Sequence, residues 1–197
     1  MKKMKSTIIT ILLLGMLSVQ IVFAQDKKAI ERKGFVFGTS WGGSVSHLTF
    51  PNKKQTDFDV ALDLKIGFML NPRLALLLTS NVSIYDYSGY GRARKRDFGV
   101  LAPSVQYWLT DKVWVLGGAG LGGDNPVLFD LKDPANNELE RKYYDGFGFI
   151  ISTGYEVYRK KNFVVDIKAR FTYRNVKIEN EDTSGVSTAI LVGINFY

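Results

Sequence analysis

Cysteine is absent from the 197-residue chain, and its absence excludes several classes of protein. The chain has no disulfide framework, no metal–thiolate site and no cysteine nucleophile. A lipoprotein, which needs a cysteine to acylate, is excluded for the same reason. Histidine is nearly absent as well, because His47 is the only one. A histidine-rich metal site is therefore impossible, and we expect no bound metal.

Long apolar runs are confined to the N-terminus. The basic stretch MKKMKS precedes IITILLLGMLSVQIVF, and Ala24 precedes the polar stretch QDKKAIERK. This order predicts a cleavable signal peptide over residues 1–24, since a membrane helix usually needs about 20 apolar residues. A retained anchor is the alternative. The rest of the chain is predicted to form a periplasmic tail, residues 25–33, and one domain, residues 34–197.

Apolar and polar residues alternate through most of the predicted domain. In FVVDIKARFTYR, residues 163–174, every second residue is apolar or aromatic. Such a period of two predicts β-strands. Eight segments are predicted as strands: 34–47, 58–70, 74–85, 98–109, 113–122, 146–158, 163–174 and 186–197.

The predicted connections alternate between short and long. Short ones are 71–73, 110–112 and 159–162, and long ones are 51–57, 86–97, 124–144 and 179–185. This alternation is typical of a transmembrane β-barrel. A soluble barrel of the lipocalin type also alternates along its strands. Large apolar residues on one face, small polar ones on the other, and aromatic residues near strand ends favour the membrane form.

Several of these features together resemble a known family. The signal, the eight segments, the hairpin APSVQYWLTDKVWVLGGAGLG and the ending VGINFY resemble the small outer-membrane β-barrel proteins, which include OmpA-like and OmpX-like barrels. The resemblance implies an all-β, eight-stranded, antiparallel up-and-down transmembrane barrel, following a cleavable signal peptide, in a Gram-negative-type outer membrane. It also implies contact with outer-membrane lipids, including lipopolysaccharide.

The C-terminal strand carries a second implication of the resemblance. Barrels of this kind typically end in an aromatic residue that the barrel-assembly machinery recognises, which points to Phe196 and Tyr197. The apolar positions of the last strand are in phase with Phe196. Tyr197 is therefore either a one-residue overhang or preceded by a bulge. The family is functionally mixed, so no extracellular partner is specified.

The polar faces of three predicted strands include charged residues. The acidic ones are Asp59, Asp63, Glu156 and Asp166, and the basic ones are Lys65, Lys168, Arg170 and Arg174. A basic side chain on the lipid face costs about 2–4 kcal/mol near the midplane, so these residues should point inward and pair. The interior of an eight-stranded barrel is just wide enough for side chains. The set therefore predicts a plugged lumen, with a polar path for small solutes as the alternative.

The stretch YGRARKRD places four basic residues in a predicted long loop: Arg92, Arg94, Lys95 and Arg96. Arginine binds phosphate bidentately, so an outer loop of this kind could bind lipid phosphates. A solvated charged loop is the plainer interpretation.

Two further features bear on catalysis. His47 could act as a general base with Ser44 or Ser46 nearby, although no acidic orienting residue is assignable. The spacing Gly118-x-Gly120-x-x-Gly123 matches a dinucleotide-binding pattern, but no helix follows to hold a pyrophosphate. We therefore expect no enzyme, no cofactor and no nucleic-acid partner.

The sequence thus favours a structural or surface-interaction barrel that acts through long extracellular loops. A narrow or gated channel for small solutes is the second hypothesis, and a lipid-modifying outer-membrane enzyme is the third.

Overall fold

The computed structural model describes residues 32–51, 53–87, 94–127, 143–178 and 181–197. The predicted signal peptide and most of the predicted tail lie outside these residues. Eight β-strands are formed: β1 (Phe35–Thr49), β2 (Lys54–Asn71), β3 (Leu74–Tyr87), β4 (Arg94–Trp108), β5 (Val113–Pro126), β6 (Tyr144–Lys160), β7 (Phe163–Ile178) and β8 (Glu181–Phe196). In the described ranges, no helix is long and apolar enough to cross a membrane.

The strands close into a single ring. Each pairs antiparallel with the next along the chain, and β8 returns to pair with β1, where Phe196 lies opposite Phe37. The prediction of an all-β, eight-stranded, antiparallel up-and-down barrel is confirmed.

The two faces of the wall follow the alternation in the sequence. On β2, Val60, Leu62, Leu64, Ile66 and Phe68 point outward and are 42–61% exposed. The residues between them point into the lumen, where the side chains are buried or half-buried. On this strand the large apolar residues are therefore on the outside. The lumen as a whole is filled by polar side chains together with buried apolar ones such as Phe98, Trp108 and Trp114.

The two ends of the barrel differ. At one end, called the turn end, β2 and β3 are joined by Pro72 and Arg73, β4 and β5 by residues 109–112, and β6 and β7 by Lys161 and Asn162. Lys161 has a φ of 53°, in the left-handed region that tight turns often use. The other end, called the loop end, carries the remaining connections.

The strands at the loop end are longer than predicted. The β1–β2 connection is residues 50–53 and the β7–β8 connection is residues 179–180, so the predicted loops 51–57 and 179–185 are wrong. The strands are longer because the ladder pairing continues into these stretches, with Thr49 opposite Lys54 and Ile178 opposite Glu181. Most of the β3–β4 and β5–β6 connections lies outside the described residues.

The phase of the C-terminus is explained by an overhang. β8 pairs with both neighbours up to Phe196 without a register shift. Tyr197 follows the strand, its backbone N–H donates to the Asn162 carbonyl at 3.1 Å, and its side chain is buried. The outward aromatic at the end of the chain is therefore Phe196.

Candidate functional site

The eight residues of the predicted lumen network lie at inward-facing positions. They are Asp59, Asp63 and Lys65 on β2, Glu156 on β6, and Asp166, Lys168, Arg170 and Arg174 on β7. Six of them are buried, and the Asp63 side chain is 9% exposed. Alternation along each strand puts them on one face. Five of them belong to three clusters at different heights in the barrel: Asp63, Lys168 and Arg170 to one, Arg174 to the second and Glu156 to the third. Asp59, Lys65 and Asp166 lie outside these clusters.

The middle cluster is centred on Asp63. Its carboxylate forms ion pairs with Lys168, at 2.5 Å, and with Arg170. Arg170 also donates to the Ser83 hydroxyl at 2.5 Å and to the Leu62 carbonyl at 3.2 Å. Because β7 and β2 are not adjacent, these contacts cross the lumen and fill its width.

The cluster nearer the loop end is centred on Asp124, which has no exposed surface. Its carboxylate pairs with Arg96 and Arg174 and accepts a hydrogen bond from the Tyr85 hydroxyl at 2.5 Å. The Arg174 guanidinium lies 4.3 Å from the centre of the Phe98 ring. Two cations thus share one carboxylate, with aromatic faces providing further stabilisation.

Sequence reasoning missed Asp124 and assigned Arg96 to an outer loop instead of the lumen, because both residues fell in predicted loops. The alternation of inward and outward residues nevertheless contained the information needed to place them. On β5, Trp114, Leu116 and Asp124 share the inward face, and on β4 so do Arg96 and Phe98. Continuing the period of two through GGAGLGG to Asp124, and back from Phe98 to Arg96, would have placed both residues inside.

The cluster at the turn end is centred on Glu156. Its carboxylate accepts from Trp108 Nε1 at 2.7 Å and from Tyr197 Oη at 3.4 Å, and forms ion pairs with Arg32, at 3.3 Å, and Arg159. Burial raises the pKa of the Tyr197 hydroxyl well above its ordinary value, and Glu156 adds to this effect. The phenol therefore stays protonated and donates to the carboxylate.

Lys65 and Asp166 lie between the turn-end cluster and the middle cluster, and neither belongs to an ion pair within the described ranges. Lys65 Nζ donates to Gln106 Oε1 at 3.0 Å and lies 4.9 Å from the centre of a Trp114 ring. Asp166 Oδ2 accepts from Trp114 Nε1 at 3.1 Å and from Asn195 Nδ2 at 2.9 Å. Neutral donors and acceptors thus hold both charges.

Glycines on the inner face make room for these side chains. A Cβ on Gly38 would lie 2.7 Å from Lys65 Cε, and one on Gly193 would overlap Asp166 Oδ1. The charged side chains therefore lie across the neighbouring strands at positions that have no side chain of their own. Beside Lys65 and Lys168, the packing leaves a cavity of ≈ 10 Å³. That is room for about one water.

The basic stretch predicted to lie in a loop is mostly strand. Arg92 lies outside the described residues, whereas Arg94, Lys95 and Arg96 belong to β4, so their loop position is wrong. Pairing with β3 extends β4 to Arg94. Lys95 forms ion pairs with Asp59 and, at 2.9 Å, with Asp86. Arg96 is buried in the lumen, so its side chain does not face the lipid.

His47 lies on the outside of the wall and is exposed. Its Nδ1 is 2.8 Å from Thr56 Oγ1. Ser44 and Ser46 are buried on the inside, where Ser46 donates to Ser187 at 3.2 Å. Neither serine can reach the imidazole, because residues one or three apart on a strand point to opposite faces. The expected proximity of a serine nucleophile to His47 is therefore wrong.

In the part of the chain that the structure describes, no group of three or more histidine, aspartate or glutamate side chains is arranged to hold a metal ion.

Comparison with known proteins gives matches in structure alone. No protein-family model matches the chain, and no curated protein matches it in sequence. The structure resembles that of Ail, the attachment invasion locus protein of Yersinia pestis, which was solved alone and with the heparin analogue sucrose octasulfate. For the complex, the identity is 14%, the TM-score is 0.55, and the match covers 84% of this chain and all of Ail.

Neisserial surface protein A is a second structural neighbour. The identity is 16% and the TM-score 0.53, and the match covers 83% of this chain and 96% of the neighbour. At these identities the likeness concerns the fold. The closed ring of eight antiparallel strands, with its apolar outside and its charged inside, has the fold of the small eight-stranded outer-membrane β-barrels.

Proposed function

We propose that the protein is an integral outer-membrane barrel with a closed lumen, a non-enzymatic structural protein that contacts its surroundings through its long extracellular connections. The observation that supports this proposal is the combination of an apolar outer wall with ion pairs that cross the interior. Outward residues such as Leu64 and Phe68 are about half exposed or more, which a water-soluble barrel would not sustain over its whole wall. In a bilayer the same residues contact lipid.

The inward ion pairs support the closed lumen. Arg170 reaches from β7 to Asp63 on β2, and Arg174 reaches from β7 to Asp124 on β5. Solutes would have to displace buried charges that are paired and hydrogen-bonded. Removing one partner of such a pair is strongly unfavourable, at about 3–5 kcal/mol. The lumen is therefore proposed to stay shut.

The proposal includes partners at the surface of the barrel. Outer-membrane lipids, including lipopolysaccharide, would contact the apolar wall and the charged rim near Lys95. The barrel-assembly machinery would bind the C-terminal strand through Phe196, whose ring points outward. No nucleic acid is proposed as a partner.

Recordings in planar bilayers test the closed lumen. The refolded protein should give no stable stepwise conductance, and such conductance would overturn the proposal. Insertion is tested separately by heat-modifiable gel migration and β-type circular dichroism in detergent. A chain that stays folded and soluble without detergent would contradict the membrane location.

A narrow or gated channel is the second candidate. It is favoured by the cavity of ≈ 10 Å³ beside Lys65 and by buried polar atoms without partners, which include Gln106 Nε2 and Asp166 Oδ1. Such atoms could bind water along a path. If this is the function, the wild-type protein should conduct, and the Lys65→Met variant should differ from it in conductance or ion selectivity.

A further inference from the structure

Arg32 precedes the first strand and yet is buried in the turn end of the barrel. Its side chain is 2% exposed, although sequence patterns predicted a periplasmic tail here. The guanidinium donates to the Pro72 carbonyl at 3.2 Å and the Asp111 carbonyl at 2.7 Å, and it pairs with Glu156 at 3.3 Å. A single side chain from the segment before β1 thus connects the β2–β3 turn, the β4–β5 turn and strand β6.

The chain bends sharply between Arg32 and β1. Gly34 has a φ of +78°, and a Cβ placed there would meet nothing within 4 Å. Glycine is therefore required by the backbone conformation and not by lack of space. The Gly34 carbonyl accepts from the Met69 N–H at 2.8 Å, which fixes the bend to β2.

The groups around the guanidinium form a cup with a defined chemistry. A carboxylate and two carbonyls accept N–H bonds, and the Trp108 ring lies 4.5 Å from the Arg32 Cζ. A planar cation with several N–H donors fits this set, whereas an anion would be repelled by Glu156. Ammonium is a poorer match because it has no planar face to stack on indole.

We infer that the turn end of the lumen is a guanidinium-binding site that the chain fills with its own Arg32, so that the segment before β1 latches this end shut. The inference deepens the closed-lumen function proposed above and rests on it. Behind the latch lie Gln106 Nε2, Asp166 Oδ1 and Asn195 Oδ1, buried atoms without partners. Withdrawing Arg32 would open a route for water toward these atoms.

The first test supplies the guanidinium in trans. Arg32→Ala, refolded as the full chain in detergent, should have a lower thermal midpoint than wild type. Agmatine, a small guanidinium compound, should raise the midpoint of the variant and not that of wild type, whose cup is full. Putrescine, a diamine without a guanidinium, should raise it less. Arg73→Ala, at an exposed arginine of the same end, should behave as wild type. Equal responses of Arg32→Ala and wild type to agmatine, or no response, would overturn the inference.

The second test keeps Arg32 and removes its carboxylate partner. Folded Glu156→Gln, verified by heat-modifiable migration, should be cut after Arg32 by an arginine-specific protease about tenfold faster or more than wild type. A charged hydrogen bond shifts an opening equilibrium by at least that factor. Equal rates would contradict the latch. Conductance of the wild-type barrel would overturn the closed lumen and, with it, the latching role of Arg32. The guanidinium site itself is tested separately, because selective agmatine binding to Arg32→Ala does not depend on a closed lumen.

Discussion

Asp124 of β5 and Arg174 of β7 form an ion pair across the intervening strand β6, and neither side chain has any exposed surface. The pair passes over glycines on the inner face. A Cβ on Gly122 would lie 3.1 Å from the Arg174 Cβ, and one on Gly148 would lie 3.2 Å from the Gly122 Cα. Strands that do not touch in the ladder are thus joined through the interior.

Removing Asp124 should strongly destabilise the barrel. Asp124→Ala leaves Arg96 and Arg174 buried without a carboxylate, and we expect a loss of about 3–5 kcal/mol in the free energy of unfolding. Arg174→Met should cost less, because Asp124 keeps Arg96. Urea unfolding in lipid vesicles measures both. Asp182→Ala, at an exposed site on β8, is the control and should stay within about 0.5 kcal/mol of wild type. Equal stabilities for Asp124→Ala and Asp182→Ala would show that the cluster contributes little.

A positive charge on the outer wall distinguishes a membrane barrel from a soluble one. Leu64→Lys should lower the free energy of unfolding in vesicles by about 2–4 kcal/mol, because Leu64 faces outward near the middle of β2. Thr49→Lys, at the loop end of β1, should cost about 0–1 kcal/mol, as expected near an interface. A Leu64→Lys barrel as stable as Thr49→Lys would contradict burial of this wall in lipid.

Substitutions of the two C-terminal aromatic residues should have different effects, one on assembly and the other on stability. Phe196 points outward and stacks edge-on with Phe163, at 5.5 Å between ring centres, whereas Tyr197 points inward to Glu156. We expect Phe196→Ala to reduce the amount of barrel assembled in cells. Tyr197→Ala should leave assembly near normal and lower the thermal midpoint of the purified protein. Quantifying folded barrel in outer-membrane fractions tests this, and the reverse pattern would contradict it.

Replacing His47 tests the enzyme hypothesis. Because the imidazole and the neighbouring serines lie on opposite faces of β1, His47→Ala should leave the lipid profile of the cell unchanged. Mass spectrometry of extracted lipids, compared between cells producing His47→Ala and wild type, makes the measurement. Loss of an acylated or deacylated lipid species in the variant would establish a catalytic role.

The closing seam between β1 and β8 should be sensitive to a single methyl group. A Cβ on Gly42 would overlap the Ile190 carbonyl oxygen, a backbone atom that cannot rotate away. We expect Gly42→Ala to cost about 1–3 kcal/mol of stability. Gly117→Ala is the matched control, because a Cβ there meets nothing within 4 Å. If both variants unfold alike, the seam is not as tightly packed as the structure indicates.

Local patterns determined the number of strands, the outward face and eight of the inward charged residues, but not Asp124 or Arg96. Period-two alternation is a property of neighbouring residues. The alternation around Leu62 and Leu64 therefore predicts that both lie on the same face of the strand, without any tertiary information. The same alternation placed Lys168 and Arg170 inside, because a charge facing lipid is costly. The overhang at Tyr197 was one of two possibilities that the phase of the last strand left open.

The partners of the inward charges were decided by the tertiary structure. Strand register and the curvature of the ring bring Arg174 to Asp124 and Arg170 to Asp63. Neither the register nor the curvature follows from the local sequence alone. Arg32 is the clearest case. Its sequence context is that of a polar tail, and only the closed ring creates the cup of Glu156 and Trp108 that holds it.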